Sequence, residues 1–552
     1  MTLAIVNVLP VPVAPRRVCV CIPFLIPSTK LFIAFGWSPA GVKPLRLKLL
    51  TYESVPEKIL KIRMRPQQME PHPKIYQPAF VFMTLSLSVC GKNHILNISS
   101  IIKMSICYSR CIMREMNPIF TIHQPKIASS AVIFTYSYTN GEASFTFQEE
   151  HTFPFEMKDS RALQALAIAT SVSYFKLHLA PCIHIDWTLS ESEQDFWEWL
   201  FRNGFSELIY QNKLDWNIVN RIKITSSTEV GPMENTEVGP VYKKAVVGIG
   251  GGKDSSLAVE LLKKLNIPTL GFATKVRTIP LLSENAKALN IPLYEVQRKT
   301  DPQLLTLKEN LYLGHIPVSL IYALTGVLIA EYEKSSYVVV ANETSADESN
   351  TEWQGRPVNH QWSKTSDFEK RVQSFITTSI NPHIFYFSIL RPIGGLAVTK
   401  LFAKMCEPVF DSFSSCNKNF TIEQSGANRW CGVCAKCLGT NLLLSGSVPL
   451  EKRIKIFGSD LYQNTQLESV FKELLGLSPV KPFDCVATRG EMCLATTLDQ
   501  GIKSSPLGKT LSITEWRKVE VEAVKAKHWL YGYRLNFIPE EINGPLRAII
   551  EA

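Results

Sequence analysis

The sequence predicts an α/β chain: a doubly wound, mainly parallel sheet, preceded by an N-terminal α+β domain and followed by a mixed C-terminal region. Three observations carry this reading. From Val241 onward, short β-branched runs alternate with amphipathic stretches. A glycine turn, Gly250 to Gly252, joins one such run to a helical pattern. Upstream, two alternating segments flank Asn140-Gly141, which reads as a hairpin.

Taken in order, SAVIFTYSYT (Ser130 to Thr139) alternates as a strand, and NGEASFTFQEEHTF turns back beside it. Ser160 to Leu179 is apolar enough for a buried helix, and Cys182 to Leu189 reads as a strand. Ser190, followed by acids, caps the next helix. Residues 116–225 are thus expected to form a small α+β domain, and 226–240 a linker. KKAVVGIG (Lys243 to Gly250) is the first strand of the doubly wound part. After it, Leu257, Leu261, Leu262 and Leu265 recur at helical spacing. Thr269 to Thr274 is a strand, Leu281 to Leu289 a helix stopped at Asn290, and Pro292 to Gln297 a strand. Pro317 to Lys334 is a long helix and Tyr337 to Asn342 a further strand. Residues 241–460 form the expected ligand-binding domain, and 461–552 a C-terminal region of helices and loops.

Charge is uneven. Residues 1–115 carry 15 Lys/Arg against Glu53, Glu57, Glu70 and Glu115, whereas the remainder carries 44 basic and 45 acidic side chains. The formal +10 therefore belongs to the first 115 residues, and the rest offers no electrostatic footprint for nucleic acid. That leader is proline-rich and its cysteines lack ligand spacing, so 1–115 is expected to be an extension without a fold of its own, with Met116 a sensible start. Its longest apolar run, Ala79 to Leu87, falls far short of the roughly 20 residues of a membrane-spanning helix. A secretory signal pattern is missing, and scattered cysteines favour a reducing compartment; the expected location is the cytoplasm.

The chemistry concentrates in a few segments. In GGGKDSS, three glycines allow a tight turn and close approach to an anion, which the amides opening the helix and the helix dipole then favour. Lys253 adds a cation, Asp254 a cap or metal ligand, and Ser255 and Ser256 hydroxyls. This suits a nucleotide phosphate, although the spacing is not that of a Walker loop. Cys431, Cys434 and Cys437, with Cys416 fifteen residues before the first, can close a tetrahedral zinc site; an iron–sulfur cluster or packed thiols are the alternatives. ANETSADESN (Ala341 to Asn350) leaves the end of a predicted buried strand, where ligands of doubly wound sheets sit, and offers Glu343, Asp347 and Glu348. VNHQWSK (Val358 to Lys364) gathers His360, Gln361 and Lys364. His315 precedes a helix start, and Tyr174 and Lys176 either reach a substrate or pack in the core.

GGGKDSS resembles the PP-loop of the ATP pyrophosphatases, usually SGGxDS, with Gly250 where most members have Ser. With GHIPV, ANExSAxxxN, VNHQxSK, SSCNxNF and WCGxCxKC in this order, residues 128–490 resemble the UDP-N-acetyl-α-D-muramoyl-L-alanyl-L-glutamate epimerases. SVSYFK, Phe201 to Trp216 and KPFDCVAT (Lys481 to Thr488) add to the likeness. The resemblance implies an adenine nucleotide α-hydrolase-like fold. It also implies an isomerase that inverts the terminal L-Glu of the UDP-sugar dipeptide through an acyl-adenylate, for peptidoglycan, releasing AMP and pyrophosphate. ATP is then a co-substrate held by Gly250, Gly251, Gly252, Lys253, Asp254, Ser255 and Ser256, with Mg2+ at Asp254 and structural Zn2+ at the four cysteines. Glu343, His360 and Lys364 are the expected proton-transfer or carboxylate-binding groups. The ligase that makes the L,L-dipeptide nucleotide is an expected partner; nucleic acid and membrane are not. The related queuosine-precursor synthases, which amidate an adenylated carboxylate, are the alternative.

Overall fold

Alternation and β-branching shape one large sheet. The computed structural model describes the strands between Cys19 and Ile95 and residues 118–227 and 242–552, apart from 142, 307–311, 313, 421–428 and 528–531. Met116 and residues 228–240 of the predicted linker lie outside the described residues, as do the side chains of 1–115.

The chain divides into Met1–Arg114 and Glu115–Ala552. In the first unit, β1 (Cys19–Ile26), β2 (Thr29–Gly36) and β3 (Lys48–Tyr52) form one antiparallel sheet. β4 (Lys61–Pro66), β5 (Met83–Val89) and β6 (Lys92–Ile95) form another.

The second unit is built on an 11-stranded sheet. Its strands are β7 (Ile119–Ile122), β8 (Lys126–Ala128), β9 (Ala131–Thr139), β10 (Ser144–Thr152), β11 (Cys182–Ile185) and β12 (Lys223–Ser226), then β13 (Tyr242–Gly248), β14 (Thr269–Lys275), β15 (Leu293–Lys299) and β16 (Ser335–Val340). A two-stranded hairpin, β17 (Thr351–Trp353) and β18 (Arg356–Val358), stands apart, and β19 (Phe385–Ser388) completes the large sheet. The order is β12-β11-β7-β9-β10-β15-β14-β13-β16-β19, with β8 beside β9. The five strands from β15 to β19 are mutually parallel. The predicted doubly wound part is therefore present, and the α+β segment continues the same sheet through an antiparallel β10–β15 pairing. Gly141, at φ +81°, makes the predicted turn between β9 and β10.

Helices cover both faces. Val246 and Val338 point into one core with the Arg161–Phe175 and Ser319–Tyr332 helices. Ala245, Val247 and Val339 point into the other with the Lys253–Lys264, Gly395–Met405 and Ala435–Ser445 helices. Burial on both faces explains why these strands read as continuous apolar runs. The C-terminal region adds the Arg489–Leu498, Ile513–Ala526 and Glu540–Glu551 helices to the second core, an arrangement with no strand periodicity to announce it. Ser190 caps its helix as predicted and forms a full capping box with Glu193, and Ser160 caps the Arg161–Phe175 helix.

The β10–β15 seam holds a buried ionic network. Glu149 accepts from Arg298 Nε at 2.6 Å and NH2 at 3.1 Å, from Tyr174 OH at 2.7 Å, and pairs with His151 at 2.7 Å. Burial opposes ionisation, yet the Arg298 charge and the His151 bond bring the Glu149 carboxyl down to about 2. Tyr174 is thus a core residue, and Lys176 donates to the Gly314 carbonyl at 3.3 Å. Glu149→Leu leaves Arg298 without its counter-charge, and urea unfolding is expected to show a loss of about 3–5 kcal/mol.

Candidate active site

The strand order reverses around β13: the chain leaves it for β14 on one side and later returns at β16 on the other. The crevice at the C-terminal ends of such strands is where ligands bind in open α/β sheets. Here β13 gives way to Gly250–Gly252 and the Lys253–Lys264 helix. Gly251 has φ +72°, and a Cβ there would press on Leu281 at 3.2 Å, so the turn needs glycine. Gly252 is the N-cap and supplies no side chain to bond the first-turn amides, which leaves them directed at the crevice. At Gly250 a Cβ would meet nothing within 4 Å. A serine fits there, so the departure from the SGGxDS pattern has no steric cause.

Lys253, Asp254, Glu343 and Lys364 line one cleft, together with Ser415, Lys436 and Cys485. Lys253 is buried, bonds Asp254, and lies 3.7 Å from Glu343 Oε2. Burial alone would lower its ammonium; Asp254 and Glu343 outweigh that and hold it above its usual range. Glu343 follows β16. Its carboxyl is pushed up to about 7 by burial, with Lys253 opposing and Asp254 and Glu491 reinforcing. Its Oε2 is buried with no hydrogen-bond partner, and a Cβ on Gly395 would come within 2.8 Å of Oε1. A carboxyl raised by burial, with an oxygen that lacks a hydrogen-bond partner, is suited to proton transfer.

The two loops carrying Glu343 and Lys364 are tied by one side chain. Arg391, 1% exposed, donates to the Glu343 carbonyl at 3.0 Å, the Lys364 carbonyl at 2.6 Å and Glu369 Oε2 at 2.8 Å. Buried Asn350 adds a second tie: its Oδ1 accepts from the His360 amide at 2.8 Å and its Nδ2 donates to the Pro482 carbonyl at 2.6 Å. Lys364 Nζ consequently reaches Cys485 Sγ at 3.3 Å.

His360 lies beside this cleft. Its Nδ1 is 2.6 Å from Glu207 Oε2, its ring packs on His315 at 4.3 Å, and Cys485 acts on it electrostatically. Burial would lower it, but Cys485 and Glu207 raise it to about 9, so it is an imidazolium at neutral pH. His315 goes the other way, down to about 3, through burial and then the His360 charge.

Several expected site residues also make bonds within the scaffold. Ser256 is fully buried and donates to the Gly252 carbonyl at 2.9 Å; Ser255 donates to the same carbonyl at 3.3 Å. Asp347 accepts from the Ser366 amide at 2.7 Å, and Glu348 pairs with Lys481 at 2.8 Å. The residue that sequence reasoning missed is Cys485. Lys364 and His360 stand more than 120 positions upstream of it, and no local spacing announces them.

The four predicted thiols converge. Cys416–Cys434, Cys431–Cys437 and Cys434–Cys437 Sγ distances are 4.0, 3.7 and 3.5 Å, and all four sulfurs lie within 4.8 Å of one another. A tetrahedron with Zn–S of about 2.3 Å has edges of about 3.8 Å, so the donor set fits zinc. The Ser414 amide, two residues before Cys416, donates to the Gly251 carbonyl at 2.9 Å, which fastens the cysteine loop to the glycine turn.

Sequence comparison agrees with this geometry. The MurL N-terminal domain matches residues 113–389 and the MurL C-terminal domain residues 412–522. The chain belongs to the MurL family. Three proteins named UDP-N-acetyl-alpha-D-muramoyl-L-alanyl-L-glutamate epimerase are similar to it. That of Xanthomonas oryzae pv. oryzae is 31% identical over 331 residues, which is 59% of this chain and 71% of the relative. That of a Micromonospora species is 28% identical over 391 residues, 69% and 86%. That of Salinispora tropica is 27% identical over 415 residues, 72% and 89%. The two MurL domain matches together take in every residue discussed in this cleft except Arg391 and Gly395, which fall between them.

Two outcomes follow. Gly250→Ser is expected to leave urea stability unchanged, whereas Gly251→Ala is expected to lose about 1–2 kcal/mol, because a Cβ is strained at that φ. For His360, a raised folded value means that its stabilising contribution is complete below about 6.5 and is lost as pH rises through about 9. Stability followed by urea titration should fall over that window, and less steeply in Glu207→Gln.

Proposed function

We propose that this chain is an ATP-dependent epimerase of PP-loop type that converts the terminal L-Glu of UDP-MurNAc-L-Ala-L-Glu to D-Glu in peptidoglycan synthesis. The observation that carries the reading is the cleft itself: an uncapped helix start with a buried lysine shares it with a carboxyl raised to about 7. One half suits a phosphate, the other a proton transfer, and MurL relatives are named for the epimerisation.

The chemistry needs both halves. A Cα proton beside a free carboxylate is hard to remove, because the product would place new negative charge next to an existing one. Joining that carboxylate to AMP as a mixed anhydride abolishes the charge and opens a route to an enolate. The Gly251–Lys253 turn and the Lys253 ammonium would hold the triphosphate through the attack, and release of pyrophosphate would leave the acyl-adenylate. Asp254 would hold Mg2+, whose contribution is to offset charge on the leaving pyrophosphate. Glu343 would then move a proton at Cα, and Lys364 and the His360 imidazolium would supply positive charge for the enolate oxygen. Hydrolysis of the anhydride yields the D-epimer and AMP. A structural Zn2+ on Cys416, Cys431, Cys434 and Cys437 would stiffen the loop that braces the glycine turn.

Incubating the protein with the L,L-dipeptide nucleotide, ATP and Mg2+ in heavy water tests the reading. AMP, pyrophosphate and one deuterium at the glutamate α-carbon are expected. Inversion without AMP, or AMP formed with no label at that carbon, would rule it out.

A further inference from the structure

We propose that Cys485 is a catalytic thiolate, one of the two groups that exchange the Cα proton during inversion. The inference rests on the epimerase reading above and adds to it a second group for the inversion. Unless it or the intermediate moves, a single group cannot take a proton from one face of a planar carbon and return it to the other, and a second group opposite Glu343 removes the need for that motion.

Geometry favours Cys485 for that part. Its sulfur lines the same cleft as Lys253, Asp254 and Glu343, on a segment unrelated to theirs: Glu343 follows β16, whereas Cys485 precedes the Arg489–Leu498 helix. Lys364 Nζ sits 3.3 Å from Sγ, and His360 acts electrostatically on the same thiol. Lys436 adds a third cation to the same cleft. The acidic group that interacts with Cys485 from its own segment is Asp484, which accepts from Asn417. Burial would raise the thiol, but Lys364, Lys436 and His360 bring it well below its usual range. Cys485 is unpaired and half-buried, and its setting differs from those of Cys406 and Cys493, which are fully buried with thiols pushed up to about 12. Among these three cysteines outside the metal-like cluster, only Cys485 combines access to the cleft with cations at its sulfur.

The step balances without any further reactant. The Sγ lone pair takes the Cα proton, the C–H bond breaks, an S–H bond forms, and the electron pair passes into the acyl carbonyl as an enolate. The Glu343 carboxyl gives its proton to the other face of Cα. Exchange with water then returns the thiol to thiolate and the carboxylate to carboxyl. In the reverse direction the two groups trade parts.

Cys485→Ala and Cys485→Ser are to be assayed in two ways on the full chain. ATP–pyrophosphate exchange dependent on the L,L-dipeptide nucleotide reads adenylation, and formation of the D-epimer reads inversion. Both variants should keep exchange within about threefold of wild type and lose inversion by at least about a hundredfold, the range of a lost general acid–base. Inversion retained within a few fold overturns the proposal, and so does loss of exchange together with inversion in a variant whose melting is unchanged. Absence of exchange in the wild-type protein would instead count against the adenylation reading itself. Should the variants fail to fold, iodoacetamide labelling of the wild type, mapped by mass spectrometry, decides. Cys485 should be alkylated at pH 7 faster than Cys182 and be protected by the dipeptide nucleotide with ATP. Slow or unprotected labelling overturns the proposal.

Discussion

The buried Arg391–Glu369 pair is the constraint on which the site depends. Two ionised groups in the interior lose their hydration, and only close, fully bonded geometry offsets that loss. Arg391 meets the condition by spending its guanidinium on three oxygens at once: Glu369, the Glu343 carbonyl and the Lys364 carbonyl. Glu369 spends its other oxygen on the Ser388 amide, at the end of β19. The pair therefore holds a strand end and two loops in one register. Any drift of the Glu343 or Lys364 loop would strand a buried charge or carbonyl, and that penalty keeps the cleft narrow. Asn350 repeats the device with a neutral amide, joining the His360 loop to the Lys481–Pro482 segment and so bringing Cys485 toward Lys364.

The glycine-turn side of the cleft is braced differently. The turn has a glycine in the left-handed region and no side-chain cap, so its shape relies on neighbours. The Ser414 amide takes the Gly251 carbonyl, and Ser415 packs against Gly252, where an added Cβ would come within 2.8 Å of its hydroxyl. Both serines belong to the loop that ends in Cys416. Convergence of the four sulfurs, and the packing of Trp430 between Phe413 and Phe457, hold that loop against the second core. The four-thiol set and the glycine turn are thereby joined through a short piece of backbone.

Much of the scaffold was legible, for identifiable reasons. Strands β9, β10, β13, β14, β15 and β16 and the Ser160 and Ser190 caps carry local signals: alternation, β-branching, and a hydroxyl three residues before a bonded amide. β7, β12 and β19 are four residues each, too short for periodicity to declare them. The joining of the α+β segment to the parallel strands was hidden because β10 and β15 pair across some 150 residues. The hydroxyls of Ser255 and Ser256 read as phosphate donors; their turn back to the Gly252 carbonyl follows from the helix they open.

By itself, the sequence determined the α/β class, the glycine turn with Lys253, the four-thiol set and the loops carrying Glu343, His360 and Lys364. These are matters of spacing and residue type, which neighbouring positions suffice to express. The tertiary structure alone decided which charges meet. The raised Glu343, the His360 imidazolium held by Glu207, and the sulfur of Cys485 against Lys364 depend on burial and on contacts across roughly 90 residues or more. An ionisation state is set by the dielectric and the charges around a group, and neither exists until the chain has folded.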